Sequence, residues 1–78
     1  MQETEIKIRR SWKTGYISLP AKYQRPLKRK IMEKLNLNYN GFLLRMYGRT
    51  FMTEMEVDVI REAFAEYGMD PFTGEKLN

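Results

Sequence analysis

Six cations crowd one short stretch of this chain: Lys22, Arg25, Lys28, Arg29, Lys30 and Lys34. Clustered Lys and Arg side chains do one kind of chemistry well, which is to hold phosphate oxygens and displace their counterions. Arg9, Arg10 and Lys13 form a second basic group near the N-terminus. Placed around a turn, they could act as a basic wing that tracks a nucleic-acid backbone or enters a minor groove. The plainer accounts are a solvated helix face for the first group and charge guarding an edge strand for the second. Trp12, Tyr16, Tyr23 and Tyr39 interleave with these cations. Such mixing suits stacking on single-stranded bases, although in a chain this small aromatics more often fill the core.

Other chemistries are poorly supplied. The 78 residues include no cysteine and no histidine. Disulfides, Cys- or His-ligated metals and the commonest general base are therefore excluded. Glu54, Glu56 and Asp58 make a carboxylate cluster, but acids are favoured at a helix start by the helix dipole, which explains them without catalysis. Neither a Gly-rich phosphate loop nor a nucleophile elbow occurs. The chain reads as non-enzymatic, with no cofactor, no metal and no small-molecule substrate. Its first residues lack the apolar core of a secretory signal, and no run approaches the ~20 apolar residues of a membrane span. A cytoplasmic protein without a membrane partner is the expectation.

The formal charge of +4 hides an asymmetry. Residues 1–50 carry twelve Lys and Arg against three Glu, a charge of +9, whereas residues 51–78 carry two against seven acids, a charge of −5. One face for an anionic partner and another kept away from it would give this split.

These residues need elements to position them. The length fits a single domain, which at this size buries only roughly 60–65% of its unfolded surface. Residues 5–9 alternate polar and apolar, and residues 16–19 partly repeat the pattern. With Gly15 as a turn residue, residues 5–19 read as a β-hairpin, with Ile6, Ile8, Ile17 and Leu19 facing the core and Trp12 capping that face. Pro26 opposes a regular helix through it, so residues 20–25 read as a short turn and a helix starts near Pro26. Leu27, Ile31 and Leu35 give that helix an apolar stripe with a basic outer face. Asn36 suits a left-handed helix end, and Asn38 suits the N-cap of a short helix over residues 39–47. Residues 49–52 read as a loop. Thr53 through Glu56 fit a capping box for a helix to about Tyr67, followed by a turn over residues 70–74 and a loose tail.

Residues 31–50 thus have helix–turn–helix grammar, in which an apolar turn residue, Leu37, fills the angle between two helices. The segment resembles the Cro and phage-repressor type of helix-turn-helix family, and more weakly so through residue 68. Leu35-Asn36-Leu37-Asn38 matches the family's turn, Gly41-Phe42 its small–apolar step, and Gly48-Arg49 its end. Met32 stands where the family has Ala, and Arg45 where it has a core aliphatic residue, a role Met46 is placed to take. Residues 5–25 do not read as the family's first helix. The resemblance implies that Tyr39, Asn40 and Leu44 touch base edges, with Asn40 suited to adenine. It implies that Asn38, Tyr47 and Arg49 touch phosphates, joined by the basic Lys28 and Arg29.

The expectation is an α+β fold, an N-terminal β-hairpin on a three-helix bundle. Its expected role is sequence-specific binding of double-stranded DNA as a homodimer, as a small phage or mobile-element type of transcriptional regulator. The competing reading is a protein-interaction or structural module that docks through its acidic C-terminal helix.

Overall fold

Trp12, Tyr16 and Leu19 are spaced four and three residues apart, and this helical period wins over the strand-like alternation of residues 16–19. In the computed structural model, which describes residues 7–77, Lys13–Ser18 form a short helix, α1. Trp12 and Leu19 are buried at its two ends, while Ile17, expected in the core, is 59% exposed. Leu19 ends α1 because it precedes Pro20, which drives it into the extended region at φ −77° and ψ 145°.

An antiparallel two-stranded sheet packs on helices, as an α+β fold requires. Its first strand, β1, is Lys7–Ile8, and residues 5 and 6 lie outside the described residues. Its partner, β2, is Met52–Thr53, with Lys7 opposite Thr53 and Ile8 opposite Met52. Residues 16–19, expected as the second strand, are instead occupied by α1 and its end. Residue 52, expected in a loop, pairs here because its buried side chain anchors the strand on the core.

The main helix, α2, spans Ala21–Leu35 and absorbs Pro26 rather than starting at it. Pro20 is its N-cap. The missing N–H at Pro26 leaves the Lys22 carbonyl without its helical donor, and both residues sit at the exposed surface, where water can serve that carbonyl. Tyr16 and Gln24 also tie this end of α2 to α1: the Tyr16 hydroxyl donates to the Gln24 carbonyl (3.1 Å), and the Gln24 amide donates to the Leu19 carbonyl (2.9 Å). Burial, and then the neighbouring Tyr39, push the Tyr16 phenol above its ordinary value against the opposing pull of Arg25, so it stays a neutral donor.

After α2, Asn36 takes the left-handed conformation at φ 53°, and Asn38 caps the next helix, α3 (Tyr39–Met46), by accepting from the Gly41 N–H at 2.7 Å. The last helix, α4 (Glu54–Ala65), opens with a complete capping box between Thr53 and Glu56. The tail is tied down rather than loose: Met69 bridges Lys76, and the Leu77 N–H donates to the Gly68 carbonyl.

The core gathers α1, α2, α3 and α4 around Trp12, whose ring meets Phe42 at 5.3 Å, Phe64 at 5.8 Å and Tyr16 at 6.4 Å, all edge to face. Leu19, Leu27, Ile31, Met46, Met52, Val57, Ile60 and Ala63 complete it. No described helix is long and apolar enough to cross a membrane.

Asp70 makes the 70–74 turn sensitive to acid. Burial opposes its ionisation, but donation from the Thr73 and Phe72 backbone N–H groups, the Thr73 hydroxyl and nearby Arg61 outweighs it, holding the carboxyl below its ordinary value. A depressed native pKa means this contribution is complete above the unfolded value of about 4 and is lost as pH falls through the native one. Asp70→Asn keeps the acceptor oxygen and removes the charge. In acid-denaturation curves followed by circular dichroism, that variant is expected to lose less stability than the wild type between about pH 5 and pH 2. An unchanged acid limb would show that Asp70 contributes nothing through its charge.

Candidate nucleic-acid interface

The placement of α3 decides which of the candidate residues can act together. Its inner side buries Phe42 and Met46, and Met46 fills the core position that Arg45 leaves. Its C-terminal end is pinned by the N-terminal segment: the Met46 carbonyl accepts from the Trp12 N–H (3.0 Å) and from the Ser11 hydroxyl (2.8 Å). Gly48 allows this approach. It sits at φ 71°, and a Cβ there would lie 2.7 Å from the Ser11 nitrogen. On its other flank, Arg45 is half-buried between α3 and α4. Its guanidinium donates to the Gly41 carbonyl and meets the Glu56 carboxylate at 3.3 Å. Glu56 uses its second oxygen to cap the Thr53 N–H, so one carboxylate joins α3 to the start of α4. Nothing in the spacing of Arg45 and Glu56 pointed to this pair.

The outer side of α3 carries the expected base-reading residues. Tyr39 is 55% exposed, Asn40 is exposed beside it, and Leu44 is half-buried along the same helix. Leu44 lines an apolar groove with Leu43, Tyr47 and Arg49. Asn38 is exposed at the helix start; its side-chain oxygen is committed to the cap, which leaves its amide N–H groups for an outside acceptor.

Cations stand at both ends of this surface. At the start of α3, the Lys28 ammonium lies 5.0 Å from the Tyr39 ring centre. Lys28 and Arg29 share a shallow groove with Met32, Glu33, Asn36 and Leu37, the groove between α2 and the turn. At the far end, Lys13 lies 4.8 Å and Arg49 6.0 Å from the Tyr47 ring centre. Arg9 donates to the Gly48 carbonyl and stands 5.8 Å from the Phe51 ring centre. Such cation–ring contacts hold long side chains near one place at modest cost.

Two expected groupings come apart. Lys30 does not face the same way as Lys28 and Arg29, because it forms an ion pair with Glu66 beyond the end of α4. Arg10 leaves the basic wing: its guanidinium sits 4.6 Å from the centre of the Phe72 ring, against the C-terminal turn, and Arg61 lies 5.5 Å from the same ring centre. Arg9 and Lys13 remain, Arg9 just after β1 and Lys13 at the start of α1, rather than around a hairpin turn. Phe51, 53% exposed in the segment expected as a loop, also belongs to this edge. An aromatic residue two positions after Arg49, with no helical partner for its side chain, was the available signal.

Among the described residues, no cluster of acidic side chains is arranged to hold a metal ion. On α4, Glu54, Asp58 and Glu62 are exposed, whereas Glu56 and the following Glu66 are engaged by cations. No family model matches the chain, and neither a curated protein nor a solved structure is significantly similar to it.

Proposed function

We propose that the protein binds double-stranded DNA sequence-specifically, as a small transcriptional regulator of the phage or mobile-element kind, with α3 in the major groove. The observation that carries this reading is the arrangement of cations at both ends of the exposed side of a short, capped helix. Lys28 and Arg29 stand before it, and Lys13 and Arg49 after it. A helix held between two phosphate-binding groups is the geometry by which backbone contacts fix register while the helix reads base edges. The left-handed Asn36, the half-buried Leu37 and the Asn38 cap support it, since they build the tight turn this docking needs. With eight residues, α3 is about 12 Å long and reaches only a few base pairs, so a specific site calls for two copies, as a homodimer.

Two substitutions separate base reading from backbone holding. Once a preferred site has been selected from a random duplex library, Asn40→Ala is expected to lose about 1–3 kcal/mol of discrimination at one base pair while retaining general DNA affinity. Arg29→Ala is expected to weaken binding to all sequences alike and to lower the log–log salt slope by about one. If neither substitution changes DNA affinity or selectivity, α3 does not read the groove.

A further inference from the structure

The edge beyond α3 carries more than phosphate ligands. Tyr47 and Phe51 are 42% and 53% exposed, four residues apart in sequence, and both lie among cations. Lys13 and Arg49 border the Tyr47 ring, and Arg9 borders Phe51. The segment carrying Arg9 and the segment carrying these rings are held together by the Arg9–Gly48 hydrogen bond and by the close passage of Ser11 over Gly48. These contacts place the two rings on one edge, either side of Gly48. Beside Tyr47 runs the apolar groove of α3.

A phosphate contact alone needs no ring, yet this edge presents two exposed rings among its cations. Duplex DNA presents its base edges and keeps its base faces stacked, so a ring at the end of a groove-reading helix has no face to meet in an intact duplex. An unpaired base does offer a face. Aromatic platforms interleaved with cations are how proteins hold single strands, the rings taking the bases and the cations the phosphates between them. Arg9 and Arg49 can add guanidinium planes to the same stack.

We infer that the Tyr47–Phe51 edge, with Arg9, Lys13 and Arg49, binds unpaired nucleotides of a DNA strand. The protein then prefers a duplex that opens or ends in a single-stranded extension over a blunt one. This inference rests on the duplex reading only for where the strand comes from; the edge itself would hold a free single strand.

The test uses fluorescence anisotropy of labelled DNA with the full chain. The probes are a blunt duplex, the same duplex with a short oligothymidine extension, and free oligothymidine. The wild type is expected to bind the extended duplex roughly tenfold tighter than the blunt one, the gain of stacking one base. Phe51→Ala is expected to bring the ratio of extended-duplex to blunt-duplex affinity close to one while the protein stays folded, since its exposed ring supports no core contact. Tyr47→Ala is expected to do the same, whereas Tyr47→Phe, which keeps the ring and loses the hydroxyl, keeps the preference. Equal binding of blunt and extended duplex, or a preference that survives loss of both rings, would overturn the inference and leave the duplex reading standing. Ring-dependent binding of oligothymidine without duplex binding would do the reverse. Binding to none of the three probes would overturn both.

Discussion

Trp12→Ala is expected to destabilise the protein by about 3–5 kcal/mol and to leave most of the chain unfolded at ordinary temperatures. A domain of this length has a total stability of about 4–12 kcal/mol, so the loss consumes much or all of it. The size of the effect follows from where Trp12 sits. It is 0% exposed, touches Phe42, Phe64 and Tyr16 edge to face, and its backbone N–H holds the end of α3. Its ring nitrogen, however, is buried without a hydrogen-bond partner. That unmet donor sets up a contrast. Trp12→Phe keeps an aromatic ring and removes the unpaired N–H, so part of the lost packing is offset by relief of the desolvation penalty. Its expected loss is under about 2 kcal/mol. Urea unfolding followed by far-ultraviolet circular dichroism measures both, since each variant loses the lone tryptophan fluorophore. Equal losses for the two variants would mean that ring packing around residue 12 is not what holds the helices together.

Gly15→Ala is the second large effect, and its sign is the informative part. In an exposed helix, alanine in place of glycine stabilises by about 1 kcal/mol. Here it is expected to destabilise by about 3 kcal/mol or more, because overpacking against backbone cannot be relieved by a side-chain rotation. A Cβ on Gly15 would stand 2.3 Å from the Pro71 carbonyl oxygen and 2.6 Å from its Cα. The Gly15 N–H also donates to that carbonyl at 3.1 Å, so pushing α1 outward breaks the bond as well. Thermal melts of the purified variant read the outcome directly. A raised melting temperature would contradict the contact between α1 and the C-terminal turn.

Gly15 also shows where the sequence misleads. Glycine between two alternating segments reads as a hairpin turn, and nothing local says otherwise. Its real constraint is a neighbour 56 positions away, Pro71. The same holds for β1, whose partner lies beyond three helices, and for the Arg45–Glu56 pair. Pro26 misled for a different reason. A proline inside a helix is unfavourable in isolation, but Leu27 and Ile31 are fully buried just beyond it and hold the helix together across the lost hydrogen bond. What could be read were features whose physics is local: the left-handed Asn36, the Asn38 cap, the Thr53–Glu56 capping box and the apolar stripe of α2. The candidate interface divides along the same line. Tyr39 and Asn40 stand exposed as their helix position implies. The separation of Lys30 from Arg29, and of Arg10 from Arg9, depends on Glu66 and Phe72, contacts that spacing cannot reveal.

The most direct test of DNA binding is a fluorescence-anisotropy titration of the wild-type protein with random-sequence duplex DNA across a series of salt concentrations. Binding at low salt is expected to weaken linearly on a log–log plot, with a slope of about −3 to −5 for the several cations placed around α3. Absence of binding even at low salt, or binding indifferent to salt, would contradict it and turn attention to the exposed acidic side of α4 as the working surface.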